Sequence, residues 1–425
     1  MLGQREKTAL RMLVKGTPIE KGSMWLINNQ RDSDQGVGWP HLNAHDVPTV
    51  WGGTLDGMRA LLATGVSRHD PVVRRAYEWL LQQQRPDGGF GSREVVYSAV
   101  EATAWVLITM RQMEVDLLSD PNAQRAVAYL EESVTSSGEV GTSKVDPPRL
   151  YPSMLTLWAL HGVSEKSVLV ARYLKDSRDT KTGGWGIRAD TAPNPLSTAH
   201  VLDVLISTGH LNTDDVITKQ ATGYLLDTQK EEGNWDNFSE TWFSKHQSDM
   251  PLRCDEYTTA WALIALLRAG SSPSSLPLAK AISWLVYEQK EAGYWLYNPL
   301  DDAEHIWCVS DSIVALHMAK ERLIQEMTEN GLTTWGSQDL GTSREGSTLE
   351  KNISKVWTSF KINLNTILLM LLAVFVFKDE IRSFADSILQ SITDGNGIIS
   401  DIVANAIYAV LVIAGTFIIN RIRTR

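Results

Sequence analysis

The string Lys280-Ala281-Ile282-Ser283-Trp284-Leu285-Val286-Tyr287-Glu288-Gln289-Lys290-Glu291-Ala292-Gly293-Tyr294-Trp295 recurs along this chain. Its skeleton stands at identical spacing in Arg75-Ala76, Trp79-Leu80, Gln84, Gly88 and Phe90. Tyr224, Leu225, Gln229, Gly233 and Trp235 repeat it again. Tyr129, Leu130, Gly138 and Val140 keep the spacing with Val134 in the place of Gln, and looser copies start at Trp25-Leu26 and Tyr173-Leu174. A second element follows each string and aligns on Thr54, Thr103, Thr156, Thr198, Thr259 and Ser312, in steps of 42 to 61 residues. Periods of this length belong to stacked supersecondary units.

Both halves of the unit read as helices. Val72, Ala76, Trp79 and Leu80 form one apolar stripe at helical spacing, and Ala260, Leu263, Ile264 and Leu267 form another. Gly88, Gly138, Gly184, Gly233 and Gly293 fall where a left-handed residue would end the first helix. The second helices are the more apolar, so they are expected inside and the charged first helices outside. Six pairs make an all-α domain of twelve helices; if the ring closes, six parallel inner helices surround a central cavity. The plain reading of each repeated Gln, Gly and Trp is structural: the amide hydrogen-bonds neighbouring backbone and the aromatic packs on the next unit.

The repeated string resembles the QW-type repeat of the terpenoid cyclase and protein prenyltransferase superfamily, over about three quarters of the chain. The resemblance implies an α6/α6 toroid. It does not by itself imply an activity, because one fold hosts many functions.

Class II cyclases of that superfamily carry an Asp-x-Asp-Asp-Thr-Ala string whose central Asp is the general acid. The matching string here is Asp255-Glu256-Tyr257-Thr258-Thr259-Ala260, with Tyr257 in the acid's position. A phenol with an ordinary pKa of about 10 is a poor proton donor to an alkene. Cyclisation would require Asp255 or Glu256 to take the role. The prenyltransferase branch implies a zinc site instead, which maps onto Cys254, Glu256 and His305 with two identities exchanged, and Cys308 lies within reach of the same loops. Cysteine, carboxylate and histidine suit tetrahedral zinc with one open position. The plain alternative is a buried Cys, a surface His305 and helix-capping Asp255 and Glu256.

Two residues after the inner anchors stand Asp56, Trp105, Trp158, His200 and Trp261, and Glu101 precedes Thr103. Polar residues mixed with Trp at one helical position predict a ring wall able to hold an isoprenoid-like or other apolar ligand. The bland reading is that large side chains fill a closed ring.

With 50 acidic against 40 basic residues the net charge is −10, which gives no sign of nucleic acid as a partner, since that would want a basic stripe. Two cysteines provide no disulfide framework, and the start Met1-Leu2-Gly3-Gln4-Arg5-Glu6-Lys7 is unlike a secretory signal. The repeat domain, residues 1–325, is therefore expected to face the cytoplasm.

Residues 326–356, rich in Gly, Ser and Thr, read as a linker, and 357–425 as a membrane hairpin with helices at about 360–378 and 401–420. Ile362 to Phe377 and Ile402 to Ile419 contain no charge. At about 1.5 Å per residue the longer run nearly matches a hydrocarbon core of about 30 Å. Lys351, Lys355 and Lys361 precede the first run and Arg421, Arg423 and Arg425 follow the second, which predicts a multi-pass protein of the cell membrane with both termini cytoplasmic. Two functions are compatible with these features. One is a non-catalytic toroid serving as a recognition or scaffold module with protein partners, for example in bacterial defence; the other is a membrane-tethered enzyme or carrier for an isoprenoid-like lipid, for which the resemblance to the prenyltransferase branch implies zinc.

Overall fold

The computed structural model describes residues 2–91, 97–144, 146–236, 255–296 and 303–329. Contacts divide the chain into two compact units, Met1–Trp335 and Gly336–Arg425, and every described residue lies in the first. The expected hairpin, residues 357–425, lies outside the described residues. Among those described, no helix is long and apolar enough to cross a membrane.

The inner helices are α3 (Leu55–Ala63), α5 (Val100–Gln112), α7 (Leu150–Leu160), α9 (Pro195–Ser207), α11 (Asp255–Arg268) and α13 (Ile306–Glu329). All but α13 are buried over most of their length: from Thr258 to Leu267 every residue of α11 is out of solvent. Each packs on the next and α13 packs on α3, so the ring closes. The outer helices are α2 (Thr17–Asn28), α4 (Pro71–Leu81), α6 (Pro121–Ser133), α8 (Lys166–Asp176), α10 (Val216–Asp227) and α12 (Leu276–Glu288). They are amphipathic; α4 buries only Val73, Ala76, Trp79 and Leu80. Asp70 and Asp120 cap the starts of α4 and α6 by accepting backbone N–H bonds, each ahead of a proline at the first helical position. A helix outside the repeat, α1 (Gln4–Lys15), packs Leu10 and Leu13 into the core and lies against α12, beside the seam between last and first units. A short hairpin, β1 (Arg31–Ser33) with β2 (Gly36–Gly38), links α2 to α3.

The repeated letters are the hardware of this ring. Gln84, Gln229 and Gln289 donate both to the carbonyl of their own motif glycine and to the first turn of the next outer helix, at Asn122, Pro277 and Pro18. The Gln289 to Pro18 bond, at 2.8 Å, joins the last unit to the first. Indole N–H groups of Trp39, Trp185, Trp235 and Trp295 donate to the leucine carbonyl of their own outer helix, at 2.6 to 2.8 Å.

The motif glycines do not end helices as expected. Each lies in the turn beyond the helix, and in the fourth unit the left-handed residue is Gly183, not Gly184. The position needs glycine because the turn abuts the next outer helix: a Cβ on Gly293, at φ +108°, would collide with the carbonyl of Lys21.

Two inner anchors also differ from expectation. The hydroxyls of Thr54, Thr103, Thr198 and Thr259 accept the backbone N–H of the motif aromatic. In the third unit Ser153, not Thr156, accepts from Val140, and in the sixth Ser310 makes the matching bond to the carbonyl four residues before it. Serine and threonine serve equally here, so the hydroxyl that meets the N–H donor decides the alignment.

Candidate functional site

The anchoring hydroxyls set the rotation of each inner helix, and with it the side chains that meet at the centre. Asp56, Trp105, His200 and Trp261, all two residues past their anchors, are buried there. One turn beyond Asp56, the Arg59 guanidinium lies over the ring of Trp105 at 4.8 Å and that of Trp261 at 5.6 Å. It forms a close ion pair with Asp311 of α13 and sits 3.8 Å from Asp56. His200 packs edge-on against Trp261 at 4.5 Å and beside Tyr151 and Tyr257. Trp158 packs on Trp105 at 5.7 Å. In the interior of the ring, expected as a cavity, these side chains meet, while Tyr151, Trp158, Tyr257 and Trp307 around them are only partly buried.

Burial pushes the Asp56 carboxyl up to about 7 against the pull of Arg59, and raises Asp311 above the usual carboxylate range. One guanidinium therefore faces two carboxyl groups, one of which keeps its proton near neutral pH. Burial takes His200 down to about 3, so its imidazole is neutral. Tyr151 and Tyr257 are raised far above neutrality and remain phenols.

The string at the start of α11 is placed at the mouth of the ring. Asp255 is buried and its carbonyl accepts from the Thr259 hydroxyl. Glu256 is buried, which raises its pKa well above the usual value, and it shares a hydrogen bond with Cys308. Tyr257 meets Trp307 edge-on at 4.8 Å and is hydrogen-bonded to Tyr151. None of these is a strong acid aimed at a substrate. Asp56, whose carboxyl is pushed up to about 7, holds its proton more tightly than an ordinary carboxylic acid and is the weaker donor to an alkene.

Of the expected zinc set, Cys254 lies outside the described residues. Glu256 neighbours Cys308, whereas His305 packs edge-on against His41 at 5.6 Å and at a tilt against Trp307 at 5.2 Å. Among the described residues no three His, Cys, Asp or Glu side chains form a group able to hold a metal. Glu101 lies nearer the mouth and pairs with Arg149 at 3.0 Å, bridging the second and third units. The residues missed in the sequence are Arg59, Asp311 and Tyr151. Arg59 was visible as a basic residue one turn from Asp56 on a wall-facing stripe; Asp311 was hidden by the choice of Ser312 as anchor.

Residues 145–303 match the family model of the squalene-hopene cyclase C-terminal domain. A probable squalene–hopene cyclase of Sinorhizobium fredii is 31% identical over 129 residues, 25% of this chain and 20% of that protein. Lanosterol synthase erg7A of Aspergillus fumigatus is 24% identical over 284 residues, 64% of this chain and 34% of that protein. The chain thus spans about a third or less of the length of these curated relatives. Among solved structures, a type II terpene cyclase from Scytonema in complex with merosterolic acid A superposes with a TM-score of 0.55 at 18% identity, covering 74% of this chain and 99% of that one. That likeness is one of fold.

Proposed function

We propose that the ring of this chain, whose repeat strings and family match are those of the terpenoid cyclase superfamily, is a non-cyclising recognition or scaffold module, tethered to the cell membrane by the hairpin of residues 357–425 and acting with protein partners. The observation that carries this reading is the centre of the ring, where Arg59 is held between Trp105 and Trp261 and paired with Asp311. A polyene cyclisation needs an open, aromatic-lined chamber and a strong acid at its end. Here the chain's own cation lies between the two indoles inside the ring, and a phenol stands in the acid's place at Tyr257.

Incubation of the purified full chain with squalene, oxidosqualene and geranylgeranyl diphosphate, followed by mass spectrometry of the extracted lipids, tests the catalytic half. No cyclic product is expected, and any enzyme-dependent cyclic product overturns it. Alkaline-carbonate extraction of membranes tests the tether: the chain stays in the pellet if the hairpin spans the bilayer and is released if it does not.

A carrier for an isoprenoid-like lipid is the second reading. It is favoured by a series of rings that leads inward from the half-exposed Trp51 through His41 and Trp307 to Tyr257. An isoprenoid co-purifying with the chain would select it over the scaffold.

A further inference from the structure

We propose that the interior of the ring is a preformed site for a small planar organic cation of the guanidinium class, and that Arg59 is its built-in occupant. The site has two aromatic walls, Trp105 from α5 and Trp261 from α11, whose faces lie 4.8 and 5.6 Å from the guanidinium carbon. It has an anionic side made of Asp56 from α3 and Asp311 from α13. His200 from α9 completes it: this side chain is 4% exposed, and its Nε2 meets no hydrogen-bond partner among the described residues.

Four of these five walls come from helices other than the one that carries Arg59. The helices that carry Trp105, His200 and Trp261 are held by anchoring hydroxyls and an outer-helix bond that do not involve Arg59. Cutting Arg59 back to its Cβ therefore leaves the aromatic faces and the carboxyl groups in place with nothing between them. A buried site of that composition favours a cation over water, since π faces and carboxylates both attract positive charge and a guanidinium also offers planar, bidentate donors. Burial holds one carboxyl protonated near neutral pH, so a single positive charge balances the site. The inference rests on the reading above that the ring is closed to a polyene by its own side chain, and it makes Arg59 the residue that decides what the interior accepts.

The experiment is a thermal melt of the full chain and of Arg59→Ala with up to 10 mM methylguanidinium chloride, against equal concentrations of urea and of sodium chloride. Arg59→Ala is expected to melt below the parent and to recover with methylguanidinium, by about a tenfold gain in the folded-to-unfolded ratio once the cation reaches ten times its dissociation constant. Urea, planar but neutral, is expected to give no such gain, and the parent is expected not to respond. A variant that ignores methylguanidinium, or responds equally to urea or salt, overturns the proposal. If Arg59→Ala is not recovered folded, the double variant Arg59→Ala with Asp311→Asn, which removes the carboxylate left without its partner, carries the same test. Failure of both to fold, including on refolding into methylguanidinium, also counts against it. Lipid-product analysis of the parent bears on the proposed function alone, so the two ideas can fail separately.

Discussion

Replacing Asp56 with Asn isolates the electrostatics of the ring interior. In the folded chain the Asp56 carboxyl titrates at about 7, whereas its ordinary value is 3.8. The raised value sets the sign. Below the ordinary value both folded and unfolded chains hold the proton, and Asp56 costs nothing. As pH rises from there to about 7 the unfolded chain has released the proton and the folded chain has not, so the parent loses stability by about 1.4 kcal/mol per pH unit. Above 7 both are ionised and the loss levels off at about 4 kcal/mol. Asn has nearly the same shape and no charge to bury, and it leaves Arg59 paired with Asp311 alone. Any cost of fitting its amide group is independent of pH, and the neutral His200 contributes equally to both proteins. Urea unfolding of parent and Asp56→Asn at constant ionic strength, from pH 4.5 to 8.5, therefore reads Asp56 by difference. The stability of the variant relative to the parent is expected to rise steadily to about pH 7 and then stay constant. A difference that does not change with pH refutes the reasoning, and so does one that falls as pH rises, because either would mean that Arg59 holds Asp56 ionised.

Three further pairs of substitutions test the ring itself. Gln289→Ala removes the bonds to Pro18 and Gly293 and is expected to cost about 1–3 kcal/mol, with hydrogen exchange accelerated in α2 and α12; Gln84→Ala should cost the same without opening that seam. Ser153→Ala leaves the buried N–H of Val140 without its acceptor and should lose about 1–3 kcal/mol in denaturant unfolding, while Thr156→Val, whose hydroxyl has no hydrogen-bond partner among the described residues, should lose less than about 1 kcal/mol. Gly293→Ala places a methyl against the Lys21 carbonyl at positive φ and should lower the melting temperature well beyond Gly65→Ala, which bears the same backbone strain of about 1–2 kcal/mol but has open space around it.

The toroid was legible because its bonds are short-range and repeated. A tryptophan that donates to a leucine carbonyl about ten residues earlier, and a glutamine that reaches its own glycine four residues later, leave a fixed spacing in every unit that uses them. The rotations of α7 and α13 were not legible in the same way. Leu150–Leu160 holds both Ser153 and Thr156, either of which can accept a hydrogen bond, and only the position of the Val140 N–H selects between them. Glu256 and Tyr257 stand in the sequence where a catalytic string departs from its pattern, but what each touches depends on Cys308, Tyr151 and Trp307, which come from other inner helices.

The amino-acid sequence by itself determines the number of units, their helical character, and which layer each helix occupies, because periodicity and local hydrogen bonding are properties of neighbouring residues. The tertiary structure alone decides what the ring contains. Arg59 and Asp311 are 252 residues apart and belong to the first and last inner helices. They meet only because the ring closes, and closure brings a buried cation, two carboxyl groups and two indoles into a space where none of them can be hydrated separately.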